Sequence, residues 1–430
     1  MCGISVLLDP SRPRGLRERL LRMHAPIRHR GPDGEGFLLA GEGAALQAQE
    51  AASLPPMAAP LGIAFRRLRI LDLSPAAAQP MASPDGAVWI AFNGEIYNYR
   101  ELRAELAAGG REFRSRGDTE VALAAYEAWG EGAFERLDGM WAIALADLRR
   151  RRLVISRDRI GIKPLYWTLE GGAFAAASEI RQLLALGEGR PQVNAGLAGR
   201  YLAGSRYPCL EETFFAGVRA VPPATFCALP LDGNLPAPSF VPYWRLDRYR
   251  AEGTAPPYDE ARARFEIALR DAVRSHAVSD VRLGALLSGG LDSSTLAALL
   301  AGEMRGSGRT PPTFSFGVPG TEGSELELAA EVARAHGLPN HQAGFDAAWL
   351  RAQAPAVLRA LEEPPLALPA LAQYRTFALC REHGVTVVLD GQGADEVLGG
   401  YPYHQRLLLL DRLRRGRAAA FASELRAIGR

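Results

Sequence analysis

Cys2 follows Met1 and precedes Gly3, so removal of the initiator methionine would leave a cysteine whose own α-amino group sits beside its thiol. An α-amino group titrates at about 7.7 to 8.0 and a thiol at about 8.5, so the pair can pass a proton near neutral pH without a histidine. A cysteine at position 2 is equally an ordinary small apolar residue, and its neighbours must decide. RHRGPDGEG (28–36) is a Gly and Pro turn with charge on both sides, and FNGEIYNY (92–99) leaves a strand with Asn93 and Gly94 at its end. Backbone and amide donors there could form an oxyanion hole, in which one donor lowers a barrier by about 2.7 to 4 kcal/mol. Taken alone, Asn93–Gly94 reads as a type I′ hairpin turn, a role that can coexist with the first.

A second set of residues points to a phosphate. SGGLDSS (288–294) follows the apolar run RLGALL and opens the helical TLAALLAGEM. Glycines let the backbone approach an anion closely, and amides at a helix N-terminus point at it. No lysine follows the glycines, so this is not a Walker A loop. LDGQGADEVLGGY (389–401) leaves the run VTVVL in the same way. Both Gly-rich loops then lie at the carboxyl ends of parallel strands, where open α/β sheets bind ligands. The cysteines Cys2, Cys209, Cys227 and Cys380 show no CxxC pair or zinc spacing, and the seven histidines include no HxH or HExxH, so a metal site in the first half is not expected. Lys163 is the only lysine among 50 basic residues, so a mechanism needing a second lysine must find it in another chain.

The elements that must position these residues differ between the halves. LGIAF, AVWIAF, WAIALAD, RLVIS and GGAFAAAS are strand-like runs separated by Gly, Pro, Asn and Asp. Between them lie a helical pattern after Tyr99 and another at Asp118, where the acid is placed as N-cap ahead of Val121, Ala125 and Trp129. The Pro-rich stretch 221–243 suggests a last hairpin, ending in the linker RLDRYRAEGTAPPYDE, and the boundary is expected near Ala251. From Tyr258 long helices alternate with buried strands, as in a parallel, doubly wound sheet. Phe265, Leu269 and Val273 mark the buried stripe of the first helix, a helix starts at Ser294, and Ser324 with Glu327 forms a capping box for a helix ended by Gly337. The 430 residues, 48% hydrophobic and 23% charged, suffice for two cores. A net charge of +2 is too balanced for a dedicated nucleic-acid or polybasic membrane binder. The sequence also lacks a membrane span and a basic n-region, so small-molecule partners and a cytoplasmic location are expected.

MCGI, RHRGPDGEG, RLRILDLS, AFNGEIYNYREL, RGDTEV, LDGMWAIALAD and SRDRIGIKPLYW, in this order, resemble the glutaminase domain of class II glutamine amidotransferases, in particular that of glutamine-hydrolysing asparagine synthetases. The resemblance implies an N-terminal-nucleophile αββα sandwich over 1–250. In it Cys2 attacks the glutamine amide, Asn93 and Gly94 hold the oxyanion, Arg67 grips the α-carboxylate as a bidentate fork, and Glu95 and Asp118 hold the α-ammonium. By themselves Arg67 would be part of a solvated basic strand face and Asp118 an N-cap. His29 and Arg30 read as structural partners of the turn at Gly31 and Pro32.

SGGLDSS resembles the pyrophosphate loop of enzymes that cut ATP between its α and β phosphates, and 251–430 resembles the asparagine synthetase domain, a doubly wound ATP pyrophosphatase-like α/β fold. The implied ATP contacts are Leu286, Ser288, Gly289, Gly290, Asp292, Ser293, Phe316, Asp390 and Gly391. Asp292 and Asp395 are assigned to Mg²⁺, which takes one or two protein oxygens on a triphosphate, and Glu396 to the acceptor. The implied reaction adenylates aspartate with ATP and displaces AMP with ammonia that travels from Cys2 through an internal channel.

Two departures stand out. Many asparagine synthetases have a glutamate at the position of Gln392, read as the base for the incoming ammonia, and glutamine cannot accept that proton. The family's synthetase domain also continues past the DE and GGY motif with helices that carry a catalytic lysine, whereas this sequence ends at Arg430 on a stretch apolar on one face. The expectation is therefore a C-terminally truncated member or a fragment. Its rivals are an amidotransferase of secondary metabolism with another carboxylate acceptor, and a glutaminase or ATP-binding regulator without synthetase turnover. Acceptor identity and oligomeric state, a homodimer included, stay open.

Overall fold

Both faces of the strands in the first half are covered, which is why their apolar runs are nearly continuous. The computed structural model describes residues 1–41, 44–187, 189–204, 211–249, 256–306, 308–318, 324–344, 346–365 and 369–428. Cys209 and the expected boundary at Ala251 lie outside them, as does part of the expected linker. The chain divides into two compact units. One holds Met1–Asp271, Val278–Val281 and Trp349–Leu371, and the other holds Ala272–Ala277, Arg282–Ala348 and Ala372–Arg430.

In the first unit the strands are β1 (Gly3–Leu8), β2 (Gly34–Gly41), β3 (Ala44–Ala48), β4 (Leu61–Arg67), β5 (Met81–Ala82), β6 (Val88–Ile96), β7 (Gly139–Asp147), β8 (Arg152–Arg157), β9 (Tyr166–Glu170), β10 (Ala173–Ala177), β11 (Arg219–Ala220), β12 (Thr225–Pro230) and β13 (Val241–Pro242). Among the described residues they form two antiparallel sheets, ordered β11-β9-β10-β1-β4-β2-β3 and β13-β12-β8-β7-β6-β5. Ile4, Val6, Leu8, Leu61, Ile63 and Phe65 of the first sheet meet Trp89, Ala91, Ala142, Ala144 and Ile155 of the second in one core. The opposite face of the first sheet packs on the helices Leu16–His24 and Ile180–Leu184. That of the second packs on Tyr99–Ala108 and Asp118–Trp129. The result is the αββα sandwich.

Side chains alternate between the two faces of a strand, and this parity places the chemistry. Cys2 shares the parity of Ile4, Val6 and Leu8, Arg67 that of Ile63 and Phe65, and Asn93 and Glu95 that of Trp89 and Ala91. All four therefore fall on the stripe between the sheets. Asn93 and Gly94 are not a turn: they pair with Ala142 and Trp141 in the middle of the β6–β7 ladder. A Cβ at position 94 would lie 2.2 Å from the Met140 carbonyl oxygen, so glycine is required there by close approach rather than by turn geometry. Asp118 is the first helical residue, behind Gly117 as N-cap.

In the second unit β14 (Leu283–Leu286), β15 (Thr313–Phe316), β16 (Asn340–Ala343) and β17 (Val387–Leu389) form an all-parallel sheet ordered β16-β15-β14-β17. The helix Leu291–Arg305 starts three residues before the expected Ser294. Glu325, not Ser324, caps Leu326–His336, without a side-chain bond, so the capping box does not form. Gly337 ends that helix at φ +66. The helix Tyr258–His276 buries only Val273 and leaves Phe265 exposed, so the expected buried stripe is covered only at its last position. The helices Pro402–Arg414 and Ala418–Ile428 carry the last apolar stretch, with Leu407, Leu410, Leu413 and Leu425 at least half exposed.

Candidate active site

Cys2 stands at the head of β1, and three anchors fix its backbone. Arg30 Nε donates to the Cys2 carbonyl at 2.7 Å, the Ile4 amide donates to Ser178 Oγ at 2.9 Å, and Gln182 Nε2 donates to the Ile4 carbonyl at 2.9 Å. Arg30 also reaches Glu179, which His29 contacts at 2.8 Å. Both residues are thus structural, though they serve Glu179 and the Cys2 carbonyl rather than the Gly31 turn. Glu179 pairs with Arg181, whose Nε donates to Glu362 at 2.6 Å, while Glu362 accepts the amides of Ile180 and Arg181 at the start of their helix. A chain of charge therefore runs from the Trp349–Leu371 segment of this unit to the main chain of Cys2.

Cys2 Sγ accepts the Leu68 amide at 3.3 Å. Burial pushes its thiol up, against the Leu68 amide and the charges of the amino terminus, Lys163 and Arg30. Burial also brings the Met1 ammonium down to about 6. Cys2, Arg67, Asn93, Gly94, Glu95 and Asp118 line one cavity, with Met1 and Lys163. Its volume is about 60 Å³ with Met1 in place, room for a few water molecules.

Asn93 is 2% exposed, and its Nδ2 has no hydrogen-bond partner. Arg67 gives one terminal nitrogen to the Ser74 carbonyl and the other to that of Asp72, because the 68–74 loop wraps its guanidinium. Only its remaining N–H groups can meet a ligand, so the fork is not free as a pair. Asp118 is buried, accepts the Ile96 amide at 2.9 Å and is raised to about 6 by burial. The amide it binds is in β6, which ties the helix to the strand that carries Asn93 and Glu95.

Glu95 is raised to about 7, first by burial and then by Asp118, with Lys163 pulling the other way. The native state therefore holds this proton more tightly than the unfolded chain, and its contribution to stability is lost as pH rises from about 4.5 to 7. At one pH unit per 1.36 kcal/mol the loss is at most about 3 kcal/mol. Glu95→Gln is expected to match the wild type in urea unfolding at pH 4 and to exceed it at pH 8. Parallel curves for the two proteins across this range would contradict the assignment.

Lys163 is the residue that motif reading passed over. It stands in the motif SRDRIGIKPLYW and is the sole lysine of the sequence, yet neither signal gave it a role.

In the second unit, β14 runs into Leu287 and SGGLDSS. Ser293 Oγ accepts the Ser288 amide at 3.1 Å, and Ser288 Oγ accepts that of Gly290 at 3.2 Å, so the loop is closed on itself ahead of the helix. Gly289 has φ +92, and a Cβ there would lie 2.8 Å from the Ala329 nitrogen, so both conformation and space require glycine. Gly391, after β17, sits against Asp292 and Ser293: a Cβ on it would be 3.3 Å from the Ser293 nitrogen. Leu286 and Phe316 end the neighbouring strands β14 and β15. Burial raises Asp390 against bonds from the amides of Gln392 and Gly391 and from Gln373. Asp292 lies in the first turn of the helix Leu291–Arg305, with its side chain against Gly391. Asp395 lies in the first turn of Ala394–Leu398 with its carboxylate against Gly400. Glu396 is exposed and accepts the Tyr401 hydroxyl at 2.8 Å. Gln392 is exposed on the same loop. No described helix is long and apolar enough to cross a membrane.

The first unit is thus an αββα sandwich with a cysteine at the head of a central strand, and the second is a parallel α/β sheet with a Gly-rich strand-to-helix loop. Residues 1–244 match the glutamine amidotransferase domain family and residues 264–428 match asparagine synthase. Over 413 residues the chain is 32% identical to asparagine synthetase [glutamine-hydrolyzing] 1 of Bacillus subtilis strain 168, covering 95% of this chain and 60% of that protein. Over 433 residues it is 31% identical to asparagine synthetase [glutamine-hydrolyzing] 3 of the same organism, covering 94% and 64%. Among solved structures, glutamine phosphoribosylpyrophosphate amidotransferase from B. subtilis complexed with ADP and GMP aligns with a TM-score of 0.44 at 15% identity, over 79% of this chain and 65% of that one. The chain belongs to the glutamine amidotransferase domain family, in the form joined to an asparagine synthase region and homologous to glutamine-hydrolysing asparagine synthetases. It spans about 60% of the length of the first of these relatives.

Proposed function

We propose that the chain carries the glutaminase centre and the ATP-binding fold of a glutamine-dependent asparagine synthetase. The observation that carries this reading is the convergence of Cys2, Arg67, Asn93, Gly94, Glu95 and Asp118 on one cavity. After loss of Met1 the free α-amine of Cys2 takes the thiol proton, and Sγ attacks the side-chain carbonyl carbon of glutamine. Asn93 and Gly94 hold the oxyanion, the amine returns its proton to the departing ammonia, and water cleaves the γ-glutamyl thioester to glutamate. Arg67 orients the α-carboxylate, and Glu95 and Asp118 the α-ammonium.

In the second unit ATP lies over the SGGLDSS and Asp390–Gly391 loops, contacting Leu286, Ser288, Gly289, Gly290, Asp292, Ser293 and Phe316. The β-carboxylate of aspartate, near Glu396, attacks the α-phosphorus and expels pyrophosphate, and ammonia then displaces AMP to give asparagine. Asp292 and Asp395 would hold Mg²⁺, which neutralises charge on the triphosphate.

The test incubates the purified chain with glutamine, aspartate, ATP and Mg²⁺ and quantifies glutamate, AMP and asparagine in one chromatographic run. Matching amounts of all three are expected. Glutamate alone would overturn the synthetase part and leave a glutaminase joined to an ATP-binding or regulatory fold. AMP without asparagine would point to a different carboxylate, and no glutamate at all would overturn the whole reading.

A further inference from the structure

The lysine that motif reading passed over stands in the cavity of Cys2. Lys163 is 8% exposed, and its ammonium makes no hydrogen bond or ion pair with any described residue. A buried, unpaired charge is costly, yet the chain is built to put it there. Asp158 is fully buried and accepts the amides of Ile162 at 2.8 Å and Lys163 at 2.9 Å. Arg157 Nε donates to the Lys163 carbonyl at 2.8 Å, and its Nη2 donates to that of Gly161 at 2.7 Å. The backbone of residue 163 is thus clamped from both sides, and the side chain projects into the cavity. Every other Lys or Arg position in the chain is arginine, so the charge in this cavity is carried by the more compact of the two side chains.

We propose that Lys163 is a further positioning residue for glutamine hydrolysis, its ammonium acting as the electrostatic partner of the Cys2 sulfur and favouring the thiolate. The groups that face this pair are the amino terminus, Arg30, Arg67, Glu95 and Asp158. Glu95 competes with the sulfur for the ammonium, while Arg30 is engaged by the Cys2 carbonyl and Glu179. In direction, burial lifts the thiol, and Lys163 is one of the charges that oppose it. The catalytic consequence rests on the glutaminase reading, but the pairing of Lys163 with Cys2 does not.

The experiment alkylates the mature protein with iodoacetamide across pH 5 to 10 and follows each cysteine peptide by mass spectrometry, for the wild type, Lys163→Met and Lys163→Arg. The Cys2 midpoint is expected to rise by about one unit in Lys163→Met and to stay near wild type in Lys163→Arg, with Cys227 and Cys380 unmoved. Below the midpoint the rate should fall only about threefold, since a tenfold loss of thiolate is partly offset by the greater nucleophilicity of the more basic sulfur. The acid limb of glutaminase kcat/KM should move by the same amount. A Cys2 midpoint identical in the wild type and Lys163→Met would overturn the proposal.

Should the variants not fold, the wild type suffices, because selectively labelled lysine gives a single side-chain NMR signal. That signal should show a titration step at the Cys2 midpoint which Cys2→Ala abolishes, and persistence of the step in Cys2→Ala would overturn the pairing. A shifted midpoint in a protein that releases no glutamate would sink the glutaminase reading and keep the pairing.

Discussion

Replacing Cys2 by alanine is expected to bring glutamate release down to background, a loss of at least about 10³-fold, and, under the proposed function, to leave ATP-dependent chemistry with added ammonia unchanged. The backbone that presents residue 2 does not depend on the thiol. Arg30 holds the Cys2 carbonyl, and Ser178 and Gln182 hold Ile4. The variant loses the Leu68 amide contact to Sγ, worth about 0.5 to 1.5 kcal/mol as a hydrogen bond, so its melting temperature should fall by only a few degrees. No other described cysteine can substitute: Cys227 and Cys380 are buried, and burial pushes both thiols up to about 11. Glutamate is measured by chromatography over a range of enzyme concentrations. Turnover above a tenth of the wild-type rate in a folded Cys2→Ala protein would show that another group opens the amide.

Much of this fold was legible in the sequence because the driving forces are local. The runs at 61–65, 141–147 and 152–156 carry their strand pattern in their own residues, and the parallel sheet announces itself through short buried strands between long helices. Asn93–Gly94 has turn chemistry, yet the ladder with Ala142 and Trp141 overrides it, since β6 gains more from pairing along its length than from turning there. Asp118 looks like a cap because an acid precedes an apolar helix. In the fold its carboxylate binds the Ile96 amide, a partner 22 positions away that no local pattern can reveal. Ser324 and Glu327 have the spacing of a capping box and do not form one. Lys163 could be flagged as the sole lysine and as a member of SRDRIGIKPLYW, but not given a role. Its neighbourhood with Cys2 and Glu95 exists because the loop after β8 and the end of β6 meet the head of β1, which is long-range information.

The largest effect expected after Cys2 is that of Asn93→Ala, which should lower kcat for glutamine by about 10² to 10³-fold and leave KM nearly unchanged. The donor Nδ2 is buried and without a partner, a state that ordinarily costs about 1 to 3 kcal/mol. Such a group is tolerated where a ligand satisfies it, and an oxyanion that exists only while the tetrahedral intermediate forms would do so. An interaction made only then raises kcat rather than affinity, which sets the expected split. The alanine variant also removes the orphaned donor, so its stability should be no lower than wild type beyond the small cavity it leaves. Asn93→Asp is the informative companion. It keeps the shape, replaces the donor by an acceptor, and places a further carboxylate beside Glu95 and Asp118, so it should lose at least as much kcat and recover some of it as pH falls. Steady-state kinetics with glutamine from pH 5.5 to 8.5, with thermal melts on each variant, decide the matter. A rise in KM at constant kcat would mean that Asn93 binds ground-state glutamine, and the oxyanion would then be left to Gly94 and the backbone.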